Sequence, residues 1–434
     1  MTVDIAHSRT FASLSVRNYR FFWTGSFVSN VGTWMNRVAQ DWLVLTVLTD
    51  HSSTALGLVT GLQFLPIALM SPLAGAFADR FQKRHMLMIT QISLALNAAI
   101  LAVLVSLGVS QLWHVFVLAT MGGVIAAFDQ PARQAFASEM VGSDLLTNAV
   151  GLNSASFNAA RLIGPGLAGL IIAWVGIAPA LWINAASFAA VIFALTAMDP
   201  SELEPAPQRR GRGAIREGFA YVRRRPDLQL ILVMVFVLGT FGMNFQVTNA
   251  LMATEVYGVG AEAYGLLGSV MAAGSLSAAL IAARRERPRL RVLIGSMAGF
   301  ALGTFLLASS PWYWLYAVLL IPVGLAALTV MTNANASVQL STPAPLRGRV
   351  MALYMAIFQG GTPLGAPFIG WVGDVFGARA TLYVGAVATG IAAVAAGTLL
   401  LWRYPSLRAS VRRYGPHRRH PAVPAPFDTE EAPR

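Results

Sequence analysis

The feature that most constrains this chain is a series of apolar segments, each 18 or more residues long, that recurs along nearly its whole length. A helix of that length can cross a hydrocarbon core of about 30 Å. The composition agrees, since 56% of the 434 residues are hydrophobic, only 12% are charged, and the mean hydropathy is +0.60. Soluble domains carry about 25% charged residues. The sequence therefore predicts an all-α polytopic membrane protein.

Apolar runs and the helix breakers between them predict twelve membrane-spanning helices. The expected spans are 20–48, 54–78, 85–107, 112–131, 146–173, 177–198, 228–254, 262–283, 290–309, 311–333, 349–372 and 379–402. Short connections such as DHSS at 50–53 make neighbouring helices antiparallel. The predicted regions are an N-terminus (1–19), a six-helix bundle (20–198), a linker (199–227), a second six-helix bundle (228–402) and a basic, disordered tail (403–434).

The basic residues give the spans a direction. Of the 31 lysines and arginines, Arg37 and Arg161 lie inside spans, Arg379 lies in a loop on one side, and the other 28 lie on the opposite side. By the positive-inside rule, both termini are expected in the cytoplasm, with the protein in the cytoplasmic (inner) membrane. Because the net charge of +12 is concentrated in these loops, it indicates membrane topology, and no nucleic-acid partner is expected.

The linker contains a second membrane signal. Ile215, Phe219 and Val222 share one helical face, with Arg216 and Arg223 beside it. This pattern predicts a short amphipathic helix that lies on the anionic inner leaflet, so membrane lipids are expected partners.

The two bundles repeat each other at a nearly constant offset. VGTWMN at 31–36 matches LGTFGM at 238–243, ALGL at 55–58 matches AYGL at 263–266, and IGPGLAG at 163–169 matches LGAPFIG at 364–370. Parallel repeats of this kind are typical of transporters, whose substrate site lies between the halves near the middle of the membrane. The sequence thus predicts two pseudo-symmetric bundles around a central site.

The first span carries an unexpected polar sector. At 100° per residue, Asn30, Thr33, Arg37, Gln40 and Asp41 fall on one side of the helix. An arginine or aspartate at the bilayer centre costs roughly 2.5–3.5 kcal/mol, so this sector is expected to line a water-filled cavity. Arg37 and Asp41 are one turn apart and are expected to neutralise each other in part.

Other spans supply further candidate residues. The fifth span carries Ser154, Asn158 and Arg161 as a second polar stripe, and the repeat offset places Asn244 and Thr248 opposite Arg37 and Asp41. The candidate apolar lining of the cavity consists of Trp34, Phe157, Phe241, Tyr354 and Phe358.

Two fixed cations against one carboxylate leave this cavity positive, which favours an anionic, carboxylated or catechol-like amphipathic substrate. Two other interpretations stay open. Arg37 and Asp41 can be a purely structural pair, and Arg161 can tie its helix to a neighbour's carbonyls.

The loop GAFADRFQKR at 75–84 resembles the signature G-x-x-x-D-R-x-G-R-R/K of the major facilitator superfamily, with Gln82 where that family prefers glycine. The matching positions are Gly75, Asp79, Arg80, Lys83 and Arg84. Gly75 permits close helix approach, and Asp79 can face a helix N-terminus. We expect Asp129 to pair with Lys83 or Arg84. The resemblance implies that this loop acts as a conformational latch.

The fifth span also contains Gly164, Pro165 and Gly169, which are similar to the antiporter motif of drug exporters in the superfamily. Ala160 and Ala168 stand where that motif prefers glycine, and plain helix packing explains the glycines equally well.

Together, RNYRFFWTGSFVSNVGTWMNRVAQDWLVL and PLRGRVMALYMAIFQGGTPLGAPFIG resemble the branch of the superfamily that holds enterobactin exporters and macrolide efflux proteins. The resemblance implies a monomeric secondary transporter that exports a siderophore-like metabolite or drug, with protons as the coupling ion and Asp41 as the deep titratable group. No catalytic residue, cofactor or metal site is expected. An importer or uniporter with the same fold, or a non-transporting sensor or scaffold, is the alternative.

Overall fold

The computed structural model describes residues 9–203, 214–283 and 288–403. Its helices are α1 Arg17–Leu43, α2 Ser53–Arg80, α3 Lys83–Ser106, α4 Leu112–Met140, α5 Ser143–Val175, α6 Ile177–Ala197, α7 Ala214–Arg223, α8 Pro226–Val237, α9 Phe245–Leu251, α10 Ala261–Ala283, α11 Leu290–Ser309, α12 Tyr313–Ser341, α13 Ala344–Phe376 and α14 Ala378–Arg403. The predicted tail beyond Arg403 lies outside the described residues, as do the start of the N-terminus and linker residues 204–213.

Within this described part, ten helical segments are long and apolar enough to cross a membrane. They include the continuous stretch Pro226–Val256, which holds α8 and α9. The helices α1 and α13 have 27 and 33 residues and are also long enough, but they are more polar. With these two, the twelve predicted spans are accounted for, and the chain is a multi-pass membrane protein.

Several helices continue past the predicted span. The fourth was expected to end at residue 131, yet α4 runs through Pro131 to Met140. Hydropathy marks where a helix leaves the hydrocarbon, whereas backbone hydrogen bonding decides where the helix ends, so the two limits differ.

The seventh span was predicted as one helix and is broken instead. A π-helical turn at Leu238–Gly242 follows α8, and Met243 and Asn244 then leave the helical conformation before α9 begins. A second π-helical turn follows at Met252–Val256. Such turns often mark functional positions, and they change which side chains share a face.

Each half packs mainly within itself. In the first half, α1 pairs with α5 and α6, and α2 with α4; in the second, α10 and α11 pair with α12, and α11 also pairs with α14. We call the end of the bundle that carries Arg17, Lys83 and Arg133 the basic end, and the end that carries Asp50, Glu262 and Asp374 the acidic end.

The two halves touch near the acidic end through α2 against α13 and α5 against α10. Glycine makes these contacts possible. A Cβ on Gly61 would lie 2.9 Å from a ring carbon of Pro367, and one on Gly169 would lie 2.9 Å from the Cα of Glu262. In lipid, small residues let helix backbones approach in this way, since no hydrophobic force drives helices together there.

Towards the basic end, α2 separates from α13 and α5 separates from α10. A Cβ added to Gly75 in α2 or Gly151 in α5 would meet no atom within 4 Å, and Val150 and Met355 are exposed. The close approach expected at Gly75 is therefore absent from this conformation, because the halves are separated there. The result is a cleft that is closed at the acidic end and open at the basic end.

The predicted amphipathic helix corresponds to α7, but its environment differs from the prediction. Val222 is buried, Glu217 forms an ion pair with Arg349, and the Tyr221 hydroxyl donates to the Ser341 carbonyl over 3.3 Å. Phe219 alone among the face residues is recorded as exposed, and the side chains of Ile215 and Arg216 lie outside the described part. Thus α7 packs on the protein, on α13, with one aromatic side chain free to meet lipid.

The glycine contacts can be tested within the second half. A Cβ on Gly365 would clash with the backbone of Thr240, whereas one on Gly360, in the same helix, would meet nothing within 4 Å. We expect Gly365→Ala to destabilise the protein by about 1–3 kcal/mol, as overpacking does. Gly360→Ala, the matched control, should be neutral or slightly stabilising. Thermal unfolding followed by tryptophan fluorescence in detergent measures both, and equal melting temperatures would contradict the packing assignment.

Candidate functional site

The candidate site is built around Trp34, near the middle of α1. The guanidinium carbon of Arg37 lies 4.5 Å from the centre of the Trp34 ring, and that of Arg161 on α5 lies 5.7 Å from it. Phe157 packs edge-on against the same indole at 5.8 Å, and Phe64 of α2 lies 5.7 Å from Arg37. One aromatic side chain thus holds two cations from different helices.

A glycine on α5 makes this arrangement possible. A Cβ on Gly164 would lie 2.6 Å from the Cβ of Trp34 and 3.0 Å from the carbonyl oxygen of Val31. Because glycine has no Cβ, α1 and α5 approach closely enough for Arg161 to reach the Trp34 ring. This contact is made within the first half and is independent of the second.

The two guanidiniums are held by aromatic faces and lack carboxylate partners among the described ion pairs. Cation–π contacts supply about 0.5–1 kcal/mol each at exposed sites and about 2 kcal/mol when desolvated. Arg37 Nε and Asn36 Oδ1 are buried without a hydrogen-bond partner in the described part of the chain. The site therefore keeps positive charge and unused hydrogen-bonding capacity.

Arg37 and Asp41 act on each other electrostatically, as expected, but without a direct ion pair. No ion pair within 4.0 Å joins them among the described residues, because Arg37 turns towards Trp34. Asp41 is buried, and its Oδ2 accepts a 2.8 Å hydrogen bond from the Tyr264 hydroxyl of α10, in the other half. Tyr264 also stacks on Trp42 at 6.1 Å. The acid is thus bound across the closed end of the cleft.

The exposure of the other predicted polar residues depends on how far each lies from the acidic end. Asn30 is half-buried, whereas Gln40, nearer the acidic end, is buried and does not line an open cavity. On α5, Ser154 is exposed, and the Asn158 amide donates to its carbonyl over 2.8 Å. The cleft therefore reaches the level of Trp34 and Arg37 and is closed beyond it.

The residues expected from the second half are placed differently from the prediction. Asn244 and Thr248 are buried and hydrogen-bonded to their own helix, through the carbonyls of Thr240 and Asn244. The π-helical turn before Asn244 removes the simple equivalence with Arg37 on which the prediction depended. Tyr354 is also buried, with its hydroxyl 3.4 Å from the Met331 carbonyl, so it does not line the cleft.

Two aromatic candidates remain partly accessible. Phe358 is half-buried, and its carbonyl oxygen lies 2.9 Å from where a Cβ on Gly239 would be. Phe241 is half-buried against Phe368, with ring centres 6.0 Å apart. Neither contacts Trp34 and the side chains around it (Arg37, Phe64, Phe157 and Arg161), which we call the Trp34 cluster.

The predicted latch has different partners. Asp129 accepts hydrogen bonds from Thr90 at 2.6 Å and Gln91 at 2.7 Å, and it pairs with Arg133 at 3.0 Å. Lys83 instead pairs with Glu139 at 3.1 Å. Because α4 extends to Met140, Glu139 rather than Asp129 lies at the level of Lys83.

The structure describes two more of the latch side chains, Arg84 and Arg80. Arg84 donates from Nε to the Leu195 carbonyl over 2.8 Å, and Arg80 is exposed. The Asp79 side chain lies outside the described residues.

The glycine motif of α5 also serves the contact between halves. Pro165 packs against Gly265 and Gly268 of α10, and the Gly166 amide donates to the Ser269 hydroxyl over 3.1 Å. Gly169 lies against the α10 backbone at Ala261. The motif thus lies where α5 and α10 close the cleft.

Sequence reasoning missed Tyr264, Phe64 and Glu139. One signal pointed to Tyr264, since the internal repeat aligns it with Leu56. A hydroxyl in one half, where the equivalent position of the other half is aliphatic, indicates that the hydroxyl forms a specific hydrogen bond. Among the described residues, no group of three histidine, cysteine, aspartate or glutamate side chains could hold a metal ion.

Two pseudo-symmetric helical halves around a cleft, with charged groups at its closed end, define a membrane transporter of the major facilitator class. The solved structures agree on the fold. A variant of the nucleoside transporter NupG superposes with a TM-score of 0.71 at 14% identity, covering 88% of this chain and 99% of that one. A bacterial homologue of the human lysosomal transporter Spinster, inward-facing and unoccupied, gives 0.69 at 13% identity over 92% and 99%. The predicted fold class is confirmed.

The transmembrane secretion effector family model matches residues 8–433, and the chain belongs to this family of major facilitator transporters. The staphyloferrin A transporter of Staphylococcus aureus is 27% identical over 380 residues, 85% of this chain and 93% of the relative. The multidrug efflux pump Tap of Mycolicibacterium fortuitum is 27% identical over 373 residues, 82% and 89% of the two chains. The predicted superfamily is likewise confirmed.

The Asp41–Tyr264 contact generates a prediction about the closed end. Tyr264→Phe removes the hydroxyl that binds the acid, and hydrogen bonds to charged groups are worth about 1.5–3 kcal/mol, so this conformation should lose stability by that order. Tyr313→Phe is the matched control, since its hydroxyl donates to the Ala263 carbonyl within the second half. Electron paramagnetic resonance distances across the acidic end should lengthen in Tyr264→Phe only. Equal lengthening in both variants would show that the contact does not join the halves.

Proposed function

We propose that this protein exports an anionic amphipathic small molecule, a siderophore-like metabolite or drug, by alternating access. The observation that carries the proposal is the Trp34 cluster, where Arg37 and Arg161 meet on one indole at the closed end of the cleft. Asp41, the acid expected to neutralise Arg37 in part, accepts a hydrogen bond from Tyr264 and forms no ion pair with Arg37 among the described residues. A substrate carboxylate or catecholate can bind both guanidiniums by charge-assisted hydrogen bonds. Its apolar part can pack on Phe157 and Trp34.

The proposed orientation in the membrane is supported by the charge of the basic end. The charge asymmetry of the loops supports placing this end, and both termini, in the cytoplasm of a bacterial inner membrane. The cleft is then open to the cytoplasm, which is the loading conformation of an exporter. The names of the relatives, a siderophore transporter and an efflux pump, support export. We further propose that the protein works as a monomer, since the site lies between halves of one chain.

Proton antiport is proposed to use Asp41. Opening the acidic end must separate Asp41 from Tyr264, which lie in different halves, and so exposes the carboxylate to water on that side. Protonation there removes one negative charge from the Arg37 neighbourhood, and release of that proton to the cytoplasm, once the basic end is open, restores it. The coupling thus depends on a contact that exists only when the acidic end is closed.

Two alternatives differ from export in measurable ways. An importer or uniporter would move substrate from the acidic end to the basic end or in both directions without a proton gradient. A sensor or scaffold would bind without flux. Vesicles of known protein orientation, loaded on one side, separate all three.

The two arginines can be tested directly. We expect Arg37→Gln and Arg161→Gln each to reduce export at least tenfold, since each removes a charge-assisted contact of about 1.5–3 kcal/mol. Arg20→Gln, at the exposed basic end of α1, is the control and should transport normally. The binding probe is a naphthyl carboxylate compared with a naphthyl ammonium of equal size, read by tryptophan quenching at matched protein levels. Unchanged carboxylate binding in both variants would reject the assigned substrate class.

The coupling proposal needs a separate measurement. In proteoliposomes, Asp41→Asn should still bind the naphthyl carboxylate but should lose acceleration of export by an imposed pH gradient. Asp50→Asn, an exposed acid in the loop before α2, is the control and should keep the response. A full response in Asp41→Asn would assign proton transfer to another group.

A further inference from the structure

Asp374 at the end of α13 binds the first turn of α2 across the two halves. Its Oδ1 accepts from the Ser53 amide and the Ser53 hydroxyl, both at 2.6 Å. Its Oδ2 accepts from the Thr54 amide at 3.1 Å and the Ser52 hydroxyl at 3.2 Å. A single carboxylate of the second half therefore caps a helix of the first.

The surrounding backbone is packed tightly enough to fix this geometry. The Ser53 hydroxyl oxygen also lies 2.7 Å from the Gly370 carbonyl oxygen, so its single proton is placed between two acceptors. A Cβ on Gly370 would lie 2.9 Å from the Ser53 carbonyl carbon, and one on Gly373 would lie 3.0 Å from the Ser53 Cβ. The two helix ends can meet in this way only while the acidic end is closed.

Electrostatics favour the ionised carboxylate in this contact. The N-terminus of a helix carries a partial positive charge, which attracts an anion. Partial burial by itself raises the pKa of Asp374, but the hydrogen bonds from Ser53 and Thr54 outweigh it and hold the pKa below its usual range. Glu255 and His51 are the other titratable groups that act electrostatically in this neighbourhood. Asp374 follows the predicted span 349–372 and lies at the acidic end.

The sequence around Asp374 repeats the motif at the other end of the bundle. GWVGDVFGAR at 370–379 has the glycine, aspartate, phenylalanine and arginine of GAFADRFQKR at 75–84 in the same four places. The first stretch ends α13 at the acidic end, and the second ends α2 at the basic end. These two helices pack against each other across the halves, as α5 and α10 also do. One copy is engaged, since Gly370 lies against Ser53, while Gly75 in the other copy meets nothing within 4 Å.

We propose that Asp374 is a positioning residue for transport, a second latch that holds the acidic end closed by capping α2. When the acidic end opens, Asp374 leaves Ser53 and Thr54, and the copy at 75–84 closes the basic end in its place. The inference concerns the equilibrium between conformations and does not rest on the substrate class.

The test measures that equilibrium without substrate. The chain has no cysteine, so spin labels at Leu107→Cys and Trp312→Cys report the distance between the acidic ends of the two halves. Both positions are exposed, in the α3–α4 and α11–α12 connections. In nanodiscs, Asp374→Asn should raise the ratio of long to short distances by about tenfold or more. The asparagine side chain keeps one acceptor oxygen but replaces the other by an NH₂ group, which cannot accept from the backbone amides and hydroxyls of α2.

Three further variants make the result specific. Asp50→Asn, an exposed acid at the same end, should leave the ratio unchanged. Ser53→Ala removes one donor to Asp374 and keeps the amide, so it should shift the ratio in the same direction as Asp374→Asn but less. Asp79→Asn should shift it the opposite way.

An unchanged ratio in Asp374→Asn, with Ser53→Ala also unchanged, would overturn the proposal. A shift of Asp79→Asn in the same direction as Asp374→Asn would overturn the reciprocal part. An unchanged distance ratio would not argue against carboxylate binding by Arg37 and Arg161. Likewise, absence of carboxylate binding would not predict any change in the distance ratio. The two proposals are therefore tested separately.

Discussion

Backbone contact between the halves at one end is the constraint on which the rest of this structure depends. Inside lipid, apolar side chains gain nothing by leaving one hydrocarbon for another, so helices associate by close packing and hydrogen bonds. Gly61 against Pro367 and Gly169 against Glu262 supply that packing where the halves meet. Nothing equivalent surrounds Gly75 or Gly151. The asymmetry of these contacts is what makes a cleft rather than a pore.

The cleft in turn explains how two arginines can lie near the middle of the membrane. Arg37 and Arg161 are both half-buried, and neither faces lipid alone, because Trp34 lies against both. An aromatic face stabilises a cation without cancelling its charge, whereas a carboxylate partner would cancel it. The choice of Trp34 as the partner therefore keeps the site positive. Asp41 accepts a hydrogen bond from Tyr264 and forms no direct ion pair with either arginine among the described residues.

The sequence predicted the features that depend on local pattern, and it failed where partners come from distant segments. Twelve apolar segments and the polar sector with Arg37 follow from helical periodicity and hydropathy. The pairing of Lys83 with Glu139 does not, since it depends on α4 continuing past Pro131 into a stretch too polar to read as a span. The repeat predicted that Asn244 lies opposite Arg37, but the π-helical turn before Asn244 changes which side chains share a face. Tyr264 binds Asp41 only after two bundles assemble, which no local pattern specifies.

Two acids, one in each half, make the same kind of contact with the opposite half. Asp41 belongs to the first half and is bound by a hydroxyl of the second, while Asp374 belongs to the second half and is bound by amides and hydroxyls of the first. In each contact a carboxyl oxygen accepts the hydrogen bond, and each contact must break when the acidic end opens. Asp374 lies at the outer rim of the contact, and Asp41 lies deeper, beside the arginines. Opening of the acidic end therefore exposes both carboxylates to water on that side, and reclosure returns each of them to donors in the opposite half. The two contacts thus couple the state of the acidic end to the partners of one acid in each half.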